Sequence, residues 1–354
     1  MRASEVTMSC MAGAAGIVAV QAAGADAVNA VAMPGLPDAH GFAGSFAGLA
    51  GGRLLVAGGA NFPDGVMPWD GGKKVWHKAV FALDPASPGS GWKRVGELPG
   101  ECGYGVSVSV TEGVLMIGGG NANEHSAEVW LAKWEDGRVS FTRMPALPVA
   151  LANMCGAEVG GRIHVVGGTA KPDSTTCSAR HFMLDWSAGT KQWTELPPLP
   201  GDGVMLATAG EAGGKLLVAG GCSLHAGPDG KPVRTYLRSC FAFADGAWTK
   251  LPDLPRCAVG AASPAWNSHG KMVLVGGDDG ALVGTDPRKH PGFRKDLLAY
   301  DSATAGWETL AELETGIPVT LPGVQSGEAF ILVSGEIRPG VRTPAVTKLQ
   351  PAKP

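Results

Sequence analysis

The chain has 354 residues, 45% of them hydrophobic and 17% charged, enough apolar side chain for a sizeable core and too little charge for a disordered segment. A formal net charge of −3, with no run of like charges, leaves no electrostatic footprint for nucleic acid or for an acidic membrane surface. Its 54 glycines and 26 prolines exceed the average share, as expected where short strands meet many tight turns.

Residues 1–25 (MRASEVTMSCMAGAAGIVAVQAAGA) place Arg2 ahead of an uncharged Ala/Gly/Val stretch and end on Ala23-Gly24-Ala25. That is the layout of a secretory signal peptide, so 1–25 is read as a leader and the protein as periplasmic or secreted. Glu5 and the poverty in Leu and Ile leave a disordered cytosolic leader as the alternative. No segment is apolar enough to cross a bilayer, so no membrane insertion is expected. The seven cysteines, Cys10, Cys102, Cys155, Cys177, Cys222, Cys240 and Cys257, form no CxxC pair and are expected mostly as small buried hydrophobes.

After the leader, residues 26–354 read as one repeat array. VNAVAMPGLPDA (28–39) resembles a Leu-Pro-rich outer strand without a blade of its own. From there a hydrophobic run ending in a glycine pair recurs: RLLVAGG ends at Gly59, VLMIGG at Gly119, RIHVVGG at Gly168, KLLVAGG at Gly221 and KMVLVGG at Gly277. A sixth copy, AFILVSG, ends at Gly335 with Ser334 in place of the first glycine. The copies lie 49 to 60 residues apart, close to the kelch period of about 50. Each is preceded by a small-residue strand, such as GFAGSFAG (41–48) or YGVSVSV (104–110), and followed by an alternating one, such as VWHKAVFALD or LRSCFAFA. An aromatic-led strand then runs into a proline stop from Trp92, Trp193 and Trp248, with degenerate copies at Phe141 and Trp307. Four strands per repeat with period-two alternation read as propeller blades. Small residues suit the crowded inner strand, glycine pairs allow close backbone approach, and the tryptophans are expected to pack between blades. The sixth repeat lacks an outer strand, and 28–39 supplies one. The fold predicted is therefore all-β: a six-bladed kelch-type β-propeller closed by an N-terminal outer strand.

Phosphate-binding GxxxxGK[ST] loops, GxGxxG turns and GxSxG elbows are absent. The eight histidines include no HxH or HExxH pair, so a metal site has no support unless ring closure gathers distant histidines.

In a propeller the loops after the second strands converge on one mouth of the channel. The residue after each glycine pair is then a six-way comparison of Ala60, Gly120, Thr169, Cys222, Asp278 and Glu336, of which two carry carboxylates. Glu336 alone is soon followed by arginines, in GEIRPGVRTPAV. Pro339-Gly340 is a type II turn signature, which makes the segment a tight hairpin with Glu336 entering and Arg342 leaving. A three-residue loop would set the two opposite each other, and a two-residue loop would send them to opposite faces. A solvated hairpin with a surface ion pair is the bland reading of the same residues.

LVSGEIRPGVRTPAVTKL (332–349) resembles the catalytic segment of the N-acetylneuraminate epimerases, the kelch-type sialic acid mutarotases. FRKDLLAYDSATAGWETL (293–310), GFAGSFAGLAGGRLLVAGGANF (41–62), GGKKVWHKAVFALD (71–84) and GYGVSVSV (103–110) are similar to that family too. There the Glu–Arg blade lies mid-chain and is followed by the GFAG blade. Here it is last and the GFAG blade first, the order of the cyclically permuted mutarotases, and the likeness runs over about 28–350. The resemblance implies an isomerase that interconverts the α and β anomers of N-acetylneuraminate by acid–base ring opening, with neither metal nor organic cofactor. It places the catalytic glutamate on Glu336 and the arginine on Arg342, with Arg342 suited to pair with the sugar's carboxylate. Arg338 is expected to point to solvent.

Other candidates for binding the sugar at the mouth are Asn61, where the family leads one to expect glycine, Lys74 of the GGKK run, and Asp278 and His290 at the ends of the long loop 278–292. The expected partner is a small acidic sugar. The alternatives are a mutarotase for another sugar, or a non-enzymatic kelch module binding a protein or glycan. Oligomeric state leaves no mark in the sequence.

Overall fold

Each hydrophobic run of the repeat forms the second strand of a four-stranded antiparallel sheet, and its composition follows from its position. In the computed structural model, which describes residues 28–352 and the backbone of 17–19, six such sheets stand round one channel. Blade one is built from Phe46–Ala50, Arg53–Ala57, Ala79–Leu83 and Lys93–Glu97, in that order from channel to rim. Blades two to five follow over 106–144, 155–196, 208–251 and 266–312. Among the described residues there is no α-helix, and hence none long and apolar enough to cross a membrane.

Six core clusters lie one between each pair of neighbouring blades, and a smaller seventh of Met205, Cys222, Leu224 and Val259 sits at the mouth under the blade-four hairpin. In the second strand of blade one, Leu54 and Val56 pack against blade six, while Leu55 and Ala57 pack against blade two. A strand buried on both faces needs apolar residues at every position, which is why these runs do not alternate. The inner strands are small for the expected reason. A Cβ on Gly48 would come within 2.7 Å of Val114 in the next blade.

Two further links tie blade to blade. The indole N–H groups of Trp92, Trp193, Trp248 and Trp307 donate to the carbonyls of Pro34, Pro145, Pro197 and Pro252, each in the outer-strand stop of the preceding blade, at 2.7–3.1 Å. The aromatic lead and the proline stop of the repeat are thus two halves of one contact. At the channel, a closed circuit of backbone hydrogen bonds runs through all six blades. Gly44 N–H donates to Thr320, Thr320 to Gly260, Gly260 to Leu206, Leu206 to Asn153, Asn153 to Tyr104 and Tyr104 to Gly44, at 2.6–2.8 Å. All six residues have φ between 53° and 65°, including four that are not glycine, so the circuit holds left-handed backbone that side chains disfavour.

Closure occurs as the repeat count requires. Val28–Met33 pairs antiparallel with Val346–Pro351, Val28 opposite Pro351, and completes blade six outside Gly323–Ser326 and Ala329–Val333. Ile17–Ala19 pairs beyond it, Ile17 opposite Val31, while the rest of the expected 1–25 leader lies outside the described residues.

The glycine pairs mark where neighbouring backbones meet. A Cβ on Gly58 would lie 2.3 Å from the Cys102 carbonyl oxygen, at φ +63°. Ser334 takes that place in blade six at φ 60°. Its hydroxyl accepts from Phe42 N–H at 2.7 Å and donates to the Thr343 carbonyl at 2.6 Å, fastening the following hairpin to blade one.

Candidate active site

The loops after the second strands surround a cavity of about 930 Å³ at one mouth of the channel, floored by the backbone circuit. Beyond the circuit the channel narrows to a pocket of about 60 Å³. The size of the upper cavity suits a monosaccharide or a somewhat larger ligand.

Glu336 and Arg342 face each other on the wall of this cavity. The hairpin has the two-residue Pro339-Gly340 loop, with Arg338 opposite Val341 and Gly340 at φ 82°. A regular ladder would then put Glu336 and Arg342 on opposite faces. Instead Ile337 forms a bulge, two residues facing one, and the register returns with Glu336 opposite Arg342. Arg342 Nη2 lies 3.1 Å from Glu336 Oε2, and Gly340 N–H donates to Oε1 at 3.2 Å. Arg342 Nη1 donates to the Gly340 carbonyl at 2.5 Å, and the guanidinium lies over the Phe62 ring, 4.7 Å from its centroid. The side chains are 19% and 6% exposed, so this is a sheltered pair rather than a solvated one. Arg338 is half-buried, with its Nε buried and unpaired, instead of free in solvent.

Lys74, Asp278 and His290 also line the cavity. Lys74 Nζ sits over two rings, 4.2 Å from the centroid of Tyr104 and 4.6 Å from that of Trp76. Asp278 accepts from the Tyr236 hydroxyl at 2.9 Å and from Gly280 N–H at 3.0 Å. Burial, with the Asp278 charge second, pushes the Tyr236 phenol up to about 12, so it stays a neutral donor. His290 is buried against Phe293, and its Nδ1 accepts from Gly292 N–H at 3.2 Å.

Asn61 stands apart. It is fully buried and does not line the cavity. Its amide donates to Asp38 at 3.2 Å and to the Gly41 carbonyl at 2.9 Å, while its oxygen meets His77 Nε2 at 2.7 Å. It binds the ring-closing segment to blade one. Burial holds His77 below the usual imidazole range, against the pull of Asp38.

Several lining residues carried no motif. Tyr104 and Trp76 matter through Lys74, and Arg234 and Tyr236 come from a hairpin, Cys222–Ala226 with Pro232–Tyr236, that blade four extends over the mouth. Among the described residues no group of three or more His, Cys, Asp or Glu is placed to hold a metal ion. Two histidines do meet, His164 Nδ1 and His181 Nε2 at 2.9 Å, but they sit on neighbouring strands of blade three, in the core facing blade four, and owe nothing to ring closure. The thiols of Cys155, Cys177 and Cys240 are pushed up to about 12 by burial and those of Cys102 and Cys222 to about 11, which makes them poor nucleophiles.

Comparison with known proteins bears on the same mouth. Residues 14–141 match the sequence model of the family N-acetylneuraminate epimerase, a stretch holding Lys74, Trp76 and Tyr104 and ending before Glu336. The N-acetylneuraminate epimerase of Pasteurella multocida is 42% identical over 98 residues, a quarter of each chain. That of Brucella melitensis is 37% identical over 112 residues, 29% of this chain and 28% of its own. The matches thus span about a quarter of the length of these curated relatives. The solved structure of YjhT superposes with a TM-score of 0.62 at 15% identity, over 75% of this chain and 83% of that one, a likeness of fold. The resemblance read from the sequence therefore holds: on a six-bladed kelch-type propeller, this chain carries the N-acetylneuraminate epimerase pattern over residues 14–141.

Proposed function

We propose that the protein is a mutarotase that interconverts the α and β anomers of N-acetylneuraminate. The observation that carries this reading is the Glu336 carboxylate, held by Arg342 on the wall of a sugar-sized cavity. Ring opening needs a proton removed from the anomeric hydroxyl and one delivered to the ring oxygen as its bond to the anomeric carbon breaks. Glu336 takes the first proton and returns it to the ring oxygen, directly or through a bound water. The open-chain ketone turns about its carbon–carbon bond, and closure on the other face reverses both transfers. Atoms balance with no co-reactant. Arg342 and Gly340 N–H keep the carboxylate aimed while leaving each oxygen a further lone pair. Acid–base catalysis of this kind contributes about 10²–10⁴-fold, enough to matter for a reaction that water already carries slowly.

The test is anomer-resolved NMR on a single anomer of N-acetylneuraminate with catalytic protein. Acceleration that disappears in Glu336→Ala is expected. No acceleration over buffer removes the reading, and acceleration of neutral hexoses in place of the acidic sugar reassigns the substrate. Export through residues 1–25 belongs to the same proposal, and N-terminal sequencing of protein recovered from outside the cytoplasm checks it.

A further inference from the structure

The sequence assigns two tasks to Arg342, partner of Glu336 and receptor for the sugar's carboxylate. The geometry leaves room for one. Nη2 is on Glu336, Nη1 is on the Gly340 carbonyl, one face covers Phe62, and Nε is buried without a partner. Each bidentate edge of the fork includes a nitrogen with one of its two N–H groups engaged, and the side chain is only 6% exposed, so neither edge is presented whole to the cavity. An acidic sugar bound at Glu336 therefore needs another cation for its carboxylate. In N-acetylneuraminate that group sits on the anomeric carbon itself, so the cation must lie close to the acid–base group.

We infer that Lys74 is this receptor, the residue that selects sugars bearing a carboxylate at the anomeric carbon. The inference rests on the proposed mutarotase reading and deepens it. Lys74 is half-buried, and among the described residues its ammonium pairs with no carboxylate and donates to no oxygen. It is fixed all the same, because the Trp76 and Tyr104 rings hold it by their electron-rich faces at 4.6 and 4.2 Å. A cation positioned by aromatic rings is partly stripped of water while keeping its three N–H donors for a ligand. Its location also fits. The Tyr104 ring lies across Gly44, 2.5 Å from where a Cβ at 44 would stand. Gly44 separates Tyr104 from Thr320 in the backbone circuit, and Thr320 belongs to the blade that carries Glu336. Lys74 thus overlooks the floor next to the Glu336 wall. Lys171 and Arg234 also line the cavity, but both are exposed and stand on blades three and four, on the far side of the channel.

The experiment is calorimetric binding of N-acetylneuraminate and of its C1 methyl ester, which keeps the sugar and removes the charge. The wild-type protein should bind the acid about 10–100-fold more tightly than the ester, the effect of one charge-assisted contact. Lys74→Met should bind both like the wild type binds the ester, Lys74→Arg should retain most of the preference, and Lys171→Met, which removes an exposed cation from the far side of the same cavity, should keep it in full. Ester binding reports that each variant is folded, with Lys74→Gln as a second neutral variant. A preference that survives in both neutral variants, or that vanishes in Lys171→Met, overturns the assignment. So does equal binding of the two ligands by wild type. Binding is read without turnover, so failure here stands apart from failure of the mutarotase reading, which the NMR assay decides.

Discussion

The hairpins that follow the glycine pair in blades one and six hold the same place in the repeat and do opposite things. In blade six the hairpin turns Glu336 and Arg342 toward the cavity, and a bulge at Ile337 keeps them on one face. In blade one, Asn61 turns inward and binds Asp38, Gly41 and His77, so its polar atoms serve closure of the ring. Scaffold and site are therefore separable in this fold: the glycines, the tryptophan–proline contacts and the backbone circuit fix the blades, and the hairpins are left to vary.

That separation can be attacked from either side. The largest effect is expected from Glu336→Gln, which keeps the shape of the side chain and removes the base: catalysed mutarotation should fall about 10²–10⁴-fold while the thermal unfolding midpoint barely moves. Asn61→Ala should do the reverse. Leaving Asp38, His77 and the Gly41 carbonyl without their partner costs about 1–3 kcal/mol, read from the denaturant midpoint, with activity per folded molecule retained.

The scaffold should also respond to acid by itself. Burial holds His164 at about 4 and His181 at about 3, with a further lowering of His164 by the Arg162 charge and of His181 by its coupling to the His164 ring. Both rings are neutral when folded and take up protons once unfolded, so their contribution is complete above the ordinary histidine value of 6.5. As pH falls from there toward 4, stability should decline with a slope approaching about 1.4 kcal/mol per pH unit for each ring, and His181→Phe should flatten it. The smallest effect is expected at Ser334→Gly, which restores the repeat's own residue. It relieves a positive φ but leaves Phe42 N–H unpaired, for a net loss of about 1 kcal/mol or less in chemical denaturation.

The blades were legible because each repeat writes its constraints locally. A doubly buried strand must be continuously apolar, and its glycine pair marks the approach of the next backbone. The closing strand at 28–39 was legible by subtraction, since blade six lacked an outer strand. What escaped depended on contacts between blades or on backbone irregularity. The Ile337 bulge leaves no compositional mark, so the facing of Glu336 and Arg342 stayed open. Lys74 was visible as one of two lysines, but its setting needs Tyr104 from the next blade. Asn61 stands one residue beyond the place that Glu336 holds in blade six, and successive residues of a strand point to opposite faces, so its side chain turns into the core.

The six-membered backbone circuit has an electrical consequence. Its N–H and C=O groups all run in the same sense round the channel, head to tail, so the in-plane dipoles of six similarly arranged units nearly cancel. The floor beneath a bound ligand then contributes little field of either sign, unlike a helix end, which would favour one charge. Whether an anion or a neutral molecule is drawn to the mouth is left to a handful of side chains, and a change at one of them can recast the selectivity of the whole ring.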